Sequence, residues 1–563
     1  MNTREYLNGK SSEGYEFFGS HKRKSNDYIF RILAPEAKNV YLAGDFNDWQ
    51  KVGLRKYSTG VFSVTIDNAK EGDCYQYFIE DREGNFFKKI DPYSKKISLD
   101  EEVSVIENSS YKYKYRKIST KPKNIYQVHL GSLFRDKDDK RKVYEKLVNH
   151  LKDNNFTHVQ FMPISEYKNY KQMGYASLGL FAFSERYGKL DDFKYFIDLL
   201  HKEKIGIIVE VDFCEFDPDP LYLDRFDGTN LYNYDYDNIK YNYYGSINFD
   251  PDKNLVKSYL LSLVNYYTKE LRIDGIFISS VENMVYWQGD KNRGINESWV
   301  KLIKELNYLV KENKSYSLAG FNGVYECLNL DFDYIYDKEF RKIVEVFQNL
   351  PMDRTNYQAY IRNLIKNGNS TKVFGFSYVD SFLNEANLAM KMYSEDKKID
   401  QLKTLFTFLM TLKSSKLIFM GDELADMRTF SIYNNFVVDD IINKSFNDYY
   451  KDLSDIFLSK KALNDDESEV KIFDVDGYSI YAYERRFKNE SYLIIVNFTD
   501  IGYEIPSPYD LDELINTNDL KYEGNGNING KLRKGEEISI EPFASSIFKV
   551  KKLKYVISKK RLL

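Results

Sequence analysis

Apolar and polar positions change rhythm twice along this chain. From Tyr28 to about Ser94 they alternate, as YIFRILAP, VYLAGDFNDW, VFSVTI and CYQYFIEDREGNFF, the last broken by the turn-forming Arg82-Glu83-Gly84-Asn85. Alternation puts the apolar side chains on one face of a strand. Residues 1–115 are therefore predicted to hold a small β-sandwich. The polar, basic stretch around Tyr111–Lys123 reads as a connector. Its KYKYRK, Lys112–Lys117, is expected to be a solvated linker rather than a docking patch.

Between about Asn124 and Lys460 the alternation gives way to apolar runs separated by amphipathic helices. The runs are IYQVHLG (125–131), THVQFMP (157–163), IGIIVEV (205–211), IDGIFIS (273–279), SYSLAG (315–320), DYIYD (333–337), KVFGFSY (372–378) and KLIFMG (416–421). Between them Phe193, Ile197 and Leu200, or Leu260, Leu263 and Tyr267, recur at helical spacing. Eight parallel strands, each followed by a helix, predict an α/β fold with a (β/α)8 TIM barrel over residues 116–460. An open doubly wound sheet is the competing arrangement. After about Asp465 strands return, as YSIYAYERRF, SYLIIVNF and EISIEPFASSIFKV. Residues 461–563 are thus predicted to form a C-terminal β-sandwich.

Composition narrows the function classes. At 563 residues, 43% hydrophobic, the chain is long enough for several domains with a large core. A net charge of −4 and a pI near 6.0, with both signs interspersed, lack the basic footprint of a nucleic-acid binder. Cys74, Cys214 and Cys327 lie far apart, so neither a disulfide framework nor a zinc pair is expected, and a reducing compartment is. No run approaches the roughly 20 apolar residues of a membrane helix, and MNTREYLNGKSSEGYEFF lacks a signal-type apolar core. The expectation is a soluble, cytoplasmic protein without cofactor, metal, membrane or nucleic-acid partner.

In a barrel of this kind, functional groups sit at the C-terminal ends of the strands. Those ends carry His129, Pro163, the acids Glu210, Asp212 and Glu215, Ser279 and Ser280, Gly320, Tyr378-Val379-Asp380, and Gly421-Asp422-Glu423. Arg272–Val281, RIDGIFISSV, presents its two serines where an apolar run stops. A serine nucleophile needs a base. Of His21, His129, His150, His158 and His201, only His129 falls at a strand end, and structural roles are expected for His129 and His158. There is no P-loop, no glycine fingerprint and no HExxH spacing. Paired carboxylates suit glycoside chemistry, but acids at a barrel mouth are common and carry no assignment alone.

Several stretches together resemble one family, the bacterial glycogen (1,4-α-glucan) branching enzymes of the α-amylase clan. Tyr15–His21, YEFFGSH, and Val40–Trp49, VYLAGDFNDW, are similar to that family's N-terminal glycogen-associated sandwich. Ile125–Ser132, IYQVHLGS, resembles its first barrel strand. Phe156–Glu166, FTHVQFMPISE, with Met173-Gly174-Tyr175 and Arg186-Tyr187-Gly188, resembles the second strand and its loop. Arg225–Tyr232, RFDGTNLY, Leu417–Glu423, LIFMGDE, and Asn516–Asn525, NTNDLKYEGN, extend the likeness to the C-terminal domain. The resemblance implies a barrel flanked by two β-sandwiches and an α-glucan as ligand.

The catalytic positions depart from the family's pattern. Where the family has an Asp and, five residues on, a His, this chain has Glu210 and Glu215. The Arg and nucleophilic Asp ending strand four correspond to Phe277 and Ser279, a register fixed by Ile273-Asp274-Gly275. The general-acid Glu falls on Gly320, with Glu326 nearby. The His-Asp pair of strand seven falls on Tyr378 and Val379, with Asp380 one step late. Tyr175 matches the tyrosine under the reacting sugar. A hydroxyl cannot stabilise an oxocarbenium ion by charge, and loss of proton transfer alone costs about 10²–10⁴-fold. The expectation is a non-catalytic glucan-binding protein of glycogen metabolism, with Tyr175, Trp287 and Trp49 as candidate sugar contacts, although Trp49 in its turn reads more readily as a packing residue. The alternatives are an active branching enzyme with acids relocated to Glu210, Asp212, Glu215 or Asp380, and a sugar-independent partner of other glycogen enzymes.

Overall fold

The computed structural model describes residues 1–134, 138–320, 328–382, 386–433, 436, 440–475 and 479–551. Eight parallel strands close into a barrel: β1 (Asn124–Val128), β2 (His158–Phe161), β3 (Gly206–Val211), β4 (Gly275–Ile278), β5 (Tyr316–Gly320), β6 (Tyr334–Tyr336), β7 (Lys372–Gly375) and β8 (Ser415–Phe419). Six lie within one of the eight apolar runs and β1 and β8 begin one residue ahead of theirs, because strands buried on both faces read as near-continuous hydrophobic stretches. The β1–β8 pairing closes the cylinder and excludes the open sheet. Ile125, Ile208, Phe277, Leu318, Tyr334, Tyr336, Val373 and Leu417 fill its interior.

Helices α1 (Lys140–Asp153), α2 (Leu190–Lys202), α3 (Asn254–Asn265) and α4 (Glu297–Glu312) follow β1 to β4. Among the described residues no helix joins β5 to β6; that connection contains 321–327, so Glu326 lies outside the described residues. Before the barrel, a four-stranded and a six-stranded antiparallel sheet enclose Phe30, Val40, Leu42, Phe62, Tyr75 and Tyr77. After it, a six-stranded sheet and the Tyr503–Pro506/Glu537–Ile540 pair enclose a separate core of Ile480, Leu493, Ile495, Leu511, Ile538 and Phe548.

The three parts are joined by buried and part-buried polar contacts. Lys89 Nζ donates to the Pro220 carbonyl at 2.6 Å, and the Glu36 amide to Asp227 Oδ2 at 3.0 Å. On the other side Arg354 Nη1 donates to the Phe498 carbonyl at 2.7 Å. The stretch expected to be a solvated linker is instead a strap docked on the barrel. Asp198 accepts from the Tyr111 hydroxyl at 2.9 Å and from the Tyr115 amide at 2.8 Å, and Arg272 lies 4.4 Å above the Tyr113 ring. Its tyrosines carry apolar rings that pack while its lysines reach carbonyls and water, so basic composition hid the docking.

Candidate functional site: the mouth of the barrel

Parallel register decides what meets at the mouth. Glu210 on β3, Phe277 on β4 and Leu318 on β5 are successive partners, so their side chains share one level. Phe277 belongs to the packed interior of the barrel. Its ring reaches across to the end of β5, where a Cβ at Gly320 would lie 2.7 Å from Phe277 Cζ. That separation is below contact distance, so the aromatic ring and the absence of a side chain at 320 are one packing solution.

Ser279 lies one position beyond the last β3–β4 pair, Val211 with Ile278, level with Asp212. It is 7% exposed, and its Oγ has no hydrogen-bond partner. Ser280 follows at φ 50° and starts the short helix Val281–Val285. His129, expected to be structural, is buried with Nδ1 2.8 Å from Ser132 Oγ, and burial lowers its pKa to about 4. His129 is paired to Ser132, and Ser279 Oγ has no hydrogen-bond partner, so no base touches Ser279. His158 is also buried, and its pKa is lowered to about 3.

The acids divide into two groups. Glu210, 3% exposed, accepts a 2.6 Å hydrogen bond from Tyr175 on Oε1 and leaves Oε2 without a partner. Burial pushes its pKa up to about 8 against that hydrogen bond, with Asp212 adding to the rise. Asp212 and Glu215 are both raised, chiefly by burial. Asp212 Oδ1 accepts from the amide and the thiol of Cys214, and Glu215 accepts from Asn242. Across the mouth, Asp380 is tied to Arg341 Nε at 2.5 Å and to the Ser377 amide at 2.8 Å. Arg341 had no signal in the sequence. Val379 is half-buried on the short helix Tyr378–Phe382, and the Tyr378 amide donates to Gln127 at 2.9 Å. Glu423 is a structural acid, accepting from Tyr126 at 2.8 Å and paired with His150 at 2.9 Å.

Glu282, missed in the sequence although it stands three residues after Ser279, is buried beside this group and raises the pKa of Cys214 together with burial, Asp212 and Glu215.

Aromatic surface lies beside the mouth. Tyr175 and Tyr378 have ring centroids 6.1 Å apart. Half-buried Trp287 packs on Tyr234 at 5.9 Å, and Gln288 next to it donates to the carbonyls of Asn238 and Tyr241. The loop so held presents Tyr243 and Tyr244, 94% and 81% exposed with rings 5.4 Å apart. Their surplus in a tyrosine-rich composition concealed them. In the N-terminal module, Trp49 is 40% exposed, its indole N–H held by Asp45 Oδ1 at 2.9 Å and its backbone at φ 58°. The turn directs the indole outward.

Comparison with known proteins agrees with this layout. Residues 17–94 match Carbohydrate-binding module 48 (Isoamylase N-terminal domain), and residues 472–551 match Alpha amylase, C-terminal all-beta domain. A 1,4-alpha-glucan branching enzyme GlgB of Fusobacterium nucleatum is 29% identical over 94% of this chain and 93% of its own length. One from Bacillus cytotoxicus is 28% identical over 97% and 94%. A pullulanase of Anoxybacillus sp. LM18-11, solved with maltotetraose, superposes with a TM-score of 0.76 at 13% identity over 98% of this chain and 90% of that one. A putative alpha amylase from Salmonella typhimurium gives 0.71 at 14% identity over 95% and 100%. These two structures share the fold.

Proposed function

Given that the chain is a homologue of the bacterial 1,4-α-glucan branching enzymes, of the α-amylase family, we propose that it binds α-glucan in glycogen metabolism without branching it. The observation that carries this reading is the Phe277–Gly320 contact. Where the family's mechanism needs an arginine beside a nucleophilic carboxylate and an acid across from it, this mouth is filled by a phenyl ring against a bare backbone. Ser279 supplies neither charge nor, without a base, nucleophilicity. Glucan binding rests on the carbohydrate-binding module, on Trp49, and on Tyr175, Trp287, Tyr243 and Tyr244 around the mouth. Aromatic faces suit the apolar faces of glucose rings.

Purified protein incubated with amylose should form no new α-1,6 linkages, while its mobility in glycogen-containing affinity gels should fall. New α-1,6 linkages would overturn the inactive reading. Unchanged mobility would instead favour a sugar-independent partner of glycogen enzymes. A second reading keeps an enzyme: the buried acids Asp212 and Glu215 have oxygens within 4.8 Å of each other, and two interacting carboxylates titrate apart as an acid–base pair requires. If activity appears, Glu215→Gln should abolish it and Ser279→Ala leave it. No helix among the described residues is long and apolar enough to cross a membrane, which fits a cytoplasmic site of action.

A further inference from the structure

The turn after β3 brings three potential ligand atoms together. Carboxylate oxygens of Asp212 and Glu215 and the thiol of Cys214 all lie within 4.8 Å of one another, and all three residues are buried. The Cys214 thiol donates to Asp212 Oδ1 at 3.0 Å. Two orphaned groups share the β3–β4 face with Asp212. Glu210, two residues earlier on the same strand, has an unpartnered Oε2, and Ser279, level with Asp212 across the ladder, has an unpartnered Oγ. Arg341 is engaged with Asp380, and Lys240 with Asp224. Among the described residues no Lys or Arg is ion-paired with Glu210, Asp212 or Glu215. Buried acids without a counter-charge are costly, and unsatisfied buried oxygens add to the cost.

We propose that Asp212, Cys214 and Glu215 bind a divalent cation of the zinc class at the mouth of the barrel. The donor set selects the metal. A thiolate with two carboxylates suits zinc, which takes sulfur and oxygen ligands in a tetrahedron and readily leaves a fourth position to water. Calcium and magnesium favour oxygen ligands alone, in larger number. On binding, the Cys214 thiol releases its proton to solvent and coordinates as thiolate. The cation would also brace the tyrosine loop. Glu215 accepts from the Asn242 side-chain amide, and Asn242 Oδ1 in turn accepts from the amides of Tyr244 at 2.9 Å and Ser246 at 3.0 Å.

The test uses the full chain, stripped with a chelator and titrated with Zn²⁺ or Co²⁺ alone. The expected result is one Zn²⁺ per chain and, with Co²⁺, a strong near-ultraviolet thiolate-to-cobalt band. Cys214→Ser should abolish the band and weaken Zn²⁺ binding by at least tenfold. Glu215→Gln should weaken binding but keep the band, which a site built on Cys74 or Cys327 would not reproduce. The proposal is overturned by a native chain that binds no Zn²⁺ or gives no thiolate band. It is equally overturned by a Cys214→Ser chain, folded by far-ultraviolet circular dichroism, that binds as its parent does, or by tighter binding of Ca²⁺ or Mg²⁺. Should Cys214→Ser fail to fold, the native Co²⁺ spectrum and the Glu215→Gln titration decide.

Discussion

Phe277 and Gly320 form one coupled packing unit at the mouth of the barrel. With the ring in place, any side chain at 320 starts 2.7 Å from Phe277 Cζ, and forced overpacking of a rigid interior costs typically about 1–3 kcal/mol. Gly320→Ala should therefore lower the unfolding free energy of the parent by that amount. In a Phe277→Leu background it should cost much less, because the clashing carbon is gone. A double-mutant cycle by urea denaturation measures the coupling, and additive effects would remove the argument. The same geometry predicts that Ser279→Asp alone produces no branching of amylose. It would put a carboxylate just beyond β4 while residue 320 stays a bare backbone and Phe277 still packs against it. Linkages formed by that single variant would place the barrier elsewhere.

Among elements, the N-terminal module exposes Trp49, Tyr57 and Phe86, and the tyrosine loop exposes Tyr236, Tyr243 and Tyr244. Trp49 is outward because Asp45 holds its indole N–H and its backbone sits in the left-handed region. Substitutions on the surface usually change stability little, so Trp49→Ala, at a 40% exposed position, should leave the unfolding free energy within about 0.5 kcal/mol of the parent. If the module carries the glucan, that variant should lose most of the retardation in glycogen gels. Tyr243→Ala with Tyr244→Ala tests the loop by the same assay. Equal mobility of the parent and both variants would leave the exposed rings without a sugar role. The module's turn was legible in VYLAGDFNDW, but the direction of its tryptophan was not, since a single positive φ decides it.

For the molecule as a whole, the barrel could be read from the sequence because each apolar run is a strand buried on both faces, a property local to the run. What the mouth contains is set by pairing between runs. Nothing within GIFIS shows that Phe277 lies against Gly320, and nothing in VDFCE shows that Cys214 turns back onto Asp212. The same burial that closes the barrel makes it acid-labile. His129 and His158 are held neutral inside it, with pKa values lowered by burial from 6.5 to about 4 and about 3. The unfolded chain therefore takes up protons at these sites between pH 6.5 and those values while the folded chain does not. Their contribution is complete above pH 6.5 and is lost progressively on acidification, at about 1.4 kcal/mol per pH unit for each proton taken up. For His129 the shift amounts to about 3 kcal/mol by pH 4. Carboxylates titrate in the same range, so the informative quantity is the difference between chains. His129→Asn should be less stable than the parent at pH 7.5, because it leaves a gap beside Ser132, but should lose stability less steeply as pH falls to 4.5. Urea midpoints at pH 7.5, 6, 5 and 4.5 for the two chains measure this. Parallel curves would mean that His129 is protonated in the folded barrel and that its burial carries no acid penalty.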